Sequence, residues 1–391
     1  VKSIGISELS LAARTVPESG IVEVVNYGRG RPGLVPLWVG EGDAPTPGFI
    51  VEAAERSLRA GETFYTWQRG LPELRAAIAA YIARLHGRPV ADDRIFVTGS
   101  GMQAIQIAFR LVTEPGDEVI VPTPAWPNSA AAVSINGGRP VYAPMTPGPD
   151  GWRLDPAALE ALVTPRSRAL FVNSPANPTG WTASREDLSA LLSIARRRGL
   201  WIVADEIYGR FVHTGAALAP SFHDVMTPED RILFVQTFSK NWAMTGWRLG
   251  WLEAPAAFGQ AIENLIQYST SGSPVFVQRG ALAAIEGGEP FVAEQVTRAR
   301  RNRATLLEAF GGSNRVVMTP PDGAFYLFFA VRGERDARAT AIDLVDRAGV
   351  GLAPGSAFGP GGASFLRLCY MRAEDQIALA AERIAGYLAE A

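Results

Sequence analysis

The feature that most constrains the fold is a set of short apolar runs that do not alternate with polar residues. They are Arg94-Ile95-Phe96-Val97, Glu118-Val119-Ile120-Val121, Ala169-Leu170-Phe171-Val172, Leu200-Trp201-Ile202-Val203-Ala204 and Ile232-Leu233-Phe234-Val235. A strand with one wet face alternates, whereas a continuous β-branched run is buried on both faces, as in a parallel sheet covered by helices. Between the runs lie helical stretches, Met102 to Leu111 and Arg185 to Arg198, the latter with Leu188, Leu191, Leu192 and Ala195 on one face. The alternation predicts an α/β domain with a mostly parallel central sheet flanked by helices. Gln278 to Phe310 reads as a charged helix bridging two domains. The apolar run Gly323 to Phe329, the segment Phe365-Leu366-Arg367-Leu368 and a final helix from about Ala373 predict a smaller α+β domain.

Composition narrows the function. With 47% hydrophobic and 19% charged residues the chain reads as an ordinary globular protein with ample core. A net charge of −2 gives no basic footprint for nucleic acid. No apolar run is long enough for a membrane helix, and residues Val1 to Gly20 do not read as a signal peptide. The single cysteine, Cys369, excludes an internal disulfide framework and fits a reducing compartment, so a cytoplasmic protein is expected. His86, His213, His223 and Cys369 are too scattered for a typical zinc site, and no metal is expected.

Basic residues are almost all arginine; the only lysines are Lys2 and Lys240. A codon bias explains the scarcity, yet Lys240 persists in the interior of Phe238-Ser239-Lys240-Asn241. Arginine keeps its proton under ordinary conditions and cannot serve as a base or form an imine. An isolated interior lysine is therefore a candidate for amine chemistry.

Ligands of open α/β sheets bind beyond the carboxyl ends of the strands, and the residues there are informative. Thr98-Gly99-Ser100-Gly101-Met102 opens a helix and offers free N–H groups to an anion such as phosphate, although glycine turns before helices are common. Trp126, in a proline-braced turn, is either a core residue or a flat surface for an aromatic ring. Asn177, held extended before Pro178, can present its amide. Asp205 directly follows an apolar strand; buried there, it needs a cation or strong donor, which is an arginine or a protonated ring nitrogen. Thr237, Ser239, Lys240 and Arg248 bring two hydroxyls, an amine and a guanidinium together. The ligand these ends jointly require is anionic, aromatic, basic at a ring nitrogen and reactive toward amines. Pyridoxal phosphate meets all four demands.

At this point the motifs Asn177-Pro178-Thr179-Gly180, Asp205-Glu206-Ile207-Tyr208, Ser239-Lys240 and Met244-Thr245-Gly246-Trp247-Arg248-Leu249-Gly250 resemble those of class I/II aminotransferases of the pyridoxal-phosphate fold type I, the aspartate-aminotransferase-like group. The likeness runs from Val39-Gly40-Glu41-Gly42-Asp43 to Arg367. It implies a large cofactor-binding domain over residues 46–285, with an N-terminal arm at 1–45 and a small domain at 286–391, the small domain drawing on both chain ends. It implies further that Lys240 carries the cofactor as an imine and relays protons, that Asp205 keeps the ring nitrogen protonated, and that Tyr208 and Asn177 bond the ring oxygen. Trp126 would stack on the ring; Ser100, Gly101, Met102, Thr237, Ser239 and Arg248 would surround the phosphate. Arg367 would bind the substrate α-carboxylate, with Gly40, Trp126 and Asn177 nearby. Tyr65 resembles the tyrosine that reaches the neighbouring subunit's phosphate, which implies a homodimer.

The reaction implied is ping-pong transfer of an amino group from an L-amino acid to a 2-oxo acid. A lyase of the β-elimination type on the same scaffold is the alternative, and a non-catalytic regulator is a weaker one. For specificity, Met102 replaces a lysine that some related enzymes carry, so the aspartate-specific reading weakens. Trp67 and Met102 suggest an apolar or aromatic side chain, while Arg29, Arg31 and Arg69 remain candidates for a distal carboxylate. The pattern Gly28-Arg29-Gly30-Arg31-Pro32-Gly33 imitates a dinucleotide motif, but the adjoining segment, Pro36-Leu37-Trp38-Val39, reads extended rather than helical.

Overall fold

The computed structural model describes residues 5–10, 13, 14, 16 and 18–390. Lys2 and part of the stretch read against a signal peptide lie outside the described residues. Strand β1 (Val35–Pro36) belongs to the N-terminal segment. The main sheet holds β2 (Ile95–Thr98), β3 (Glu118–Thr123), β4 (Arg139–Gly148), β5 (Gly151–Leu154), β6 (Ser167–Asn173), β7 (Trp201–Asp205), β8 (Ile232–Thr237) and β9 (Gly250–Glu253). Their order across the sheet is β2-β9-β8-β7-β6-β3-β4-β5. The centre, β8-β7-β6-β3-β4, is parallel. β9 is antiparallel to both β8 and β2, so β2 runs in the same sense as the parallel strands.

The uninterrupted apolar runs now have a physical cause. Successive side chains of one strand point to opposite faces, and each face has its own core. Ile120, Leu170, Ile202 and Phe234 pack into one; Val119, Val121, Phe171, Val203 and Val235 pack into the other. A polar residue at any of these places would be stranded without water. Helix Arg185–Arg198 shows how local sequence supports the covering layer. Ser184 and Asp187 form a reciprocal capping box, Leu188, Leu191 and Leu192 are buried, and Gly199 ends the helix with φ 67°.

One expected helix is two. The stretch Gln278 to Phe310 is broken into Val275–Gly287 and Glu289–Gly311. A Cβ on Gly288 would lie 2.4 Å from the Ala284 carbonyl oxygen, and Pro290 starts the second helix without an N–H to donate. The second helix does link two parts of the chain: Arg300 Nε donates to Val212 O at 3.0 Å, and Asn302 Nδ2 donates to Tyr370 O at 2.7 Å.

A second, four-stranded antiparallel sheet contains β10 (Val316–Met318), β11 (Tyr326–Val331), β13 (Ala353–Pro354) and β14 (Phe365–Cys369). β1 pairs in parallel with β12 (Val350–Gly351), so this smaller α+β unit is built from both chain ends. The final helix is Glu374–Glu390. The glycine-rich pattern after Gly28 leads into β1 and no helix, so it offers no pyrophosphate cradle.

Candidate active site

Because β2, β3, β6, β7 and β8 run in one sense, their carboxyl ends share an edge, and a cavity of about 680 Å³ opens there. Gly101, Met102, Trp126, Asn177, Asp205, Tyr208, Thr237, Ser239, Lys240 and Arg248 line it, and Gly40 and Arg367 reach it from the smaller unit. Residues spread over more than three hundred positions are thus brought to one hollow by the strand ends.

Lys240 is half-buried, and its Nζ donates to Gly40 O at 2.7 Å. Burial pulls its amine down to about 8, against the opposing influence of Cys369 and Glu41. Asp205 ends β7 and is almost wholly buried. Burial pushes its carboxyl up to about 7, while the Ile207 N–H at 3.4 Å and the Lys240 charge act the other way. An amine and an acid, each brought close to neutrality in pH, therefore share one low-dielectric space.

Around them the cavity has two distinct ends. At one, Gly101 and Met102 begin the helix Gly101–Val112, whose first N–H groups have no helical partner. The Thr237 hydroxyl donates to Ser239 Oγ at 2.9 Å, and Arg248, held at φ 53°, donates to Thr245 O at 2.5 Å. The strands here are pressed together: a Cβ on Gly250 would lie 2.7 Å from Gly101 N. Ser100 is buried beside this end without lining the cavity, and its Oγ accepts from Gln103 N at 3.0 Å. At the other end Arg367 is 2% exposed and has no carboxylate partner among the described residues. It donates to Asn177 Oδ1 at 3.2 Å and to Trp38 O, its Nε has no partner, and its guanidinium lies 4.7 Å from the Tyr326 ring centre. A buried, unpaired cation with unused donors calls for an anionic ligand.

Three contributors were not legible from the sequence. Tyr326 and Tyr208 share a hydrogen bond of 2.7 Å between their hydroxyls, and burial pushes both phenols above their ordinary value. Asn173, the last residue of β6, donates to Asp205 O at 3.0 Å and accepts from Asn177 N at 2.9 Å, fixing two candidates at once. Its place at a strand end was the available signal. The third is the helix Gly20–Gly28, whose Ile21 and Val25 line the cavity.

Two residues lie elsewhere. Tyr65 is 92% exposed and borders a separate surface hollow with Phe64 and Trp67. Trp67 therefore forms no part of this chain's own cavity wall, whereas Met102 does. No group of His, Cys, Asp and Glu among the described residues could hold a metal ion, and no helix among them is long and apolar enough to cross a membrane.

Known proteins share this arrangement over nearly the whole chain. The family model described as aminotransferase class I and II matches residues 33–384. An aspartate aminotransferase of Streptomyces avermitilis is 37% identical, covering 93% of this chain and 90% of the relative. An arginine–pyruvate transaminase of Pseudomonas aeruginosa is 35% identical over 90% of both chains. Among solved structures, an aspartate aminotransferase of Thermotoga maritima superposes with a TM-score of 0.90 at 32% identity, covering 97% of this chain and all of that one. An aromatic aminotransferase of Pyrococcus horikoshii gives 0.86 at 31% identity, covering 94% and 99%. A family match of this extent, with relatives that are transaminases rather than lyases, leads to one statement: the chain belongs to the aminotransferase class I and II family and is a transaminase.

Proposed function

We propose that this transaminase works with pyridoxal 5'-phosphate held in the cavity at the strand ends, moving the amino group of an L-amino acid to a 2-oxo acid. The observation that carries the reading is that one cavity holds the Lys240 amine and the buried Asp205 carboxyl between an anion-binding end and Arg367, which has no carboxylate partner among the described residues. The donor set fits the group. Helix N–H groups at Gly101 and Met102, with the hydroxyls of Thr237 and Ser239 and the Arg248 guanidinium, suit its phosphate. Trp126 offers a flat face, Asn177 and Tyr208 offer donors to the ring oxygen, and Asp205 offers a carboxylate to the ring nitrogen. When bound, pyridoxal phosphate supplies an electrophilic carbon for the amino group and a ring that delocalises electrons.

The chain's own residues do the rest. Arg367 fixes the substrate α-carboxylate through its planar fork, with Gly40 close by. Lys240 Nζ, once neutral, takes the proton from the substrate Cα and would pass it to the cofactor carbon that keeps the amino group; in the second half of the cycle it carries a proton the opposite way. The depressed amine pKa supports that role, because a fully charged lysine could not accept a proton at neutral pH.

Three further readings belong to the same proposal. Residues 1–45 form the arm and part of the small domain, 46–285 the large domain and 286–391 the small domain, supported by the helix break at Gly288 and the pairing of β1 with β12. The protein is a homodimer in which Tyr65 reaches the neighbouring site, supported by the exposure of Phe64, Tyr65 and Trp67 together. It is cytoplasmic, supported by its single, buried, free cysteine.

The test is spectroscopic. Protein loaded with pyridoxal phosphate should lose its absorption band when an amino acid is added and regain it when a 2-oxo acid is then supplied. Release of pyruvate and ammonia with no acceptor acid present would point to the lyase instead.

A further inference from the structure

Four cations line the cavity, and three donate to neutral acceptors: Lys240 to Gly40 O, Arg248 to Thr245 O, and Arg367 to Asn177 Oδ1 and Trp38 O. The fourth, Arg29, sits at the exposed rim of the cavity and makes no hydrogen bond or ion pair among the described residues. The two other arginines that the sequence left open are occupied, Arg31 by Asp346 and Arg69 by Glu263. The cavity's acid on the same side as Gly40, Glu41, accepts from Thr245 Oγ1 at 2.9 Å and is already used.

Arg29 follows Ile21 and Val25 at four-residue steps, so the three lie along one face at the helix Gly20–Gly28 and its end. All three border the cavity. The face is therefore apolar along its length and cationic at its end. The helix is held in place: a Cβ on Gly28 would lie 2.5 Å from the Trp38 ring, and Glu23 pairs with Arg338. Trp38 itself lines the cavity and its carbonyl accepts from Arg367, so the helix packs against the residue that helps hold the carboxylate-binding arginine.

In a ping-pong transaminase, donor and acceptor occupy the same cavity in turn. A wall with an apolar stripe and a free cation at its end serves two side-chain classes without rebuilding. We infer that Arg29 is a specificity-determining residue, pairing with the distal carboxylate of a dicarboxylic 2-oxo acid, while Ile21, Val25 and Met102 accept the apolar side chain of a monocarboxylic amino donor. The inference rests on the transamination reading for its turnover measurements only.

The experiment compares Arg29→Gln with the unaltered holoenzyme. The ratio of kcat/KM for 2-oxoglutarate over that for 2-oxohexanoate should fall about two- to five-fold, the loss expected for one solvent-exposed charge pair. Equilibrium binding of glutarate should weaken by a similar factor, and Arg29→Lys should recover most of both. An unchanged ratio together with unchanged glutarate binding would overturn the inference. Failure of the unaltered enzyme to turn over any donor with either acceptor would sink the transaminase reading instead, and glutarate binding would still decide the part played by Arg29.

Discussion

The inner and outer halves of the cavity are built in different ways. The inner half stands on strand ends: Asp205 closes β7, Lys240 follows β8, and Asn173 at the end of β6 ties Asp205 to the Asn177 loop. Asp205 is buried, Lys240 and Asn173 are half-buried, and hydrogen bonds fix their positions. The outer half is one nine-residue helix at the chain's beginning, contacting the cavity through Ile21, Val25 and Arg29. The difference separates tasks. Reacting groups need fixed distances and a low dielectric, which a sheet edge provides. Side-chain selection needs a surface that can change without moving the reacting groups, and a peripheral helix provides that.

The sharpest way to break this division is at Lys240. Lys240→Arg keeps the positive charge but removes the titrating amine. Turnover should drop on the order of a thousand-fold or more, while the far-ultraviolet circular dichroism of the fold is retained. Ordinary turnover in that variant would mean that the inner half does not hold the chemistry. Next comes Arg367→Lys, where a planar fork is exchanged for a point charge. KM for amino donors should rise about ten- to hundred-fold with a smaller change in kcat; an unchanged KM would take Arg367 out of carboxylate binding.

Gly40 tests how closely the smaller unit is fitted to the site. A Cβ there would lie 2.4 Å from the Tyr326 hydroxyl, and without that oxygen the nearest ring atom is at 3.3 Å. Gly40→Ala should therefore cost about ten-fold in kcat/KM, and adding Tyr326→Phe should restore part of it. If the double variant is no better than the single one, the crowding is not at that hydroxyl.

How much was legible in the sequence follows the same division. The inner half announced itself because strand ends are predictable places and because one interior lysine survived in an arginine-rich chain. Asp205 could be read as buried from the apolar strand before it. Tyr326 could not: it sits inside the aromatic run Phe325 to Phe329, where one more ring looks like core, and its partner Tyr208 is 118 residues away. The helix Gly20–Gly28 could not be read either. Ile21-Val22-Glu23-Val24-Val25 is β-branched and favours a strand, and Ser19 makes no side-chain cap. Tertiary contacts decide it, with Val24 fully buried and Gly28 against Trp38. The break at Gly288 belongs to the same class, since two glycines and a proline are a breaker signal that a charged helical periodicity hides.

The smallest effect concerns stability, and its sign is the useful part. Asp205 has its carboxyl raised to about 7 in the folded chain from 3.8. Between those values the folded state binds more protons than the unfolded one, so folding stability falls as pH rises through that window. Above pH 7 the carboxylate is buried in its charged form, at a cost of up to about 4 kcal/mol. Asp205→Asn removes the charge but leaves a buried amide that itself costs about 1–3 kcal/mol. The cofactor-free variant should therefore be more stable than the unaltered protein by about 1 kcal/mol at pH 8. The gain should vanish by pH 4, where the unaltered carboxyl is neutral. Denaturant melts of both proteins at the two pH values measure it. A gain at pH 8 accompanied by lost turnover would mean that the inner half carries an acid kept for chemistry at the expense of the fold. A stability loss at pH 8 would show instead that Asp205 serves the fold through the Ile207 N–H and the Lys240 charge, and the separation of tasks between the two halves would have to be redrawn.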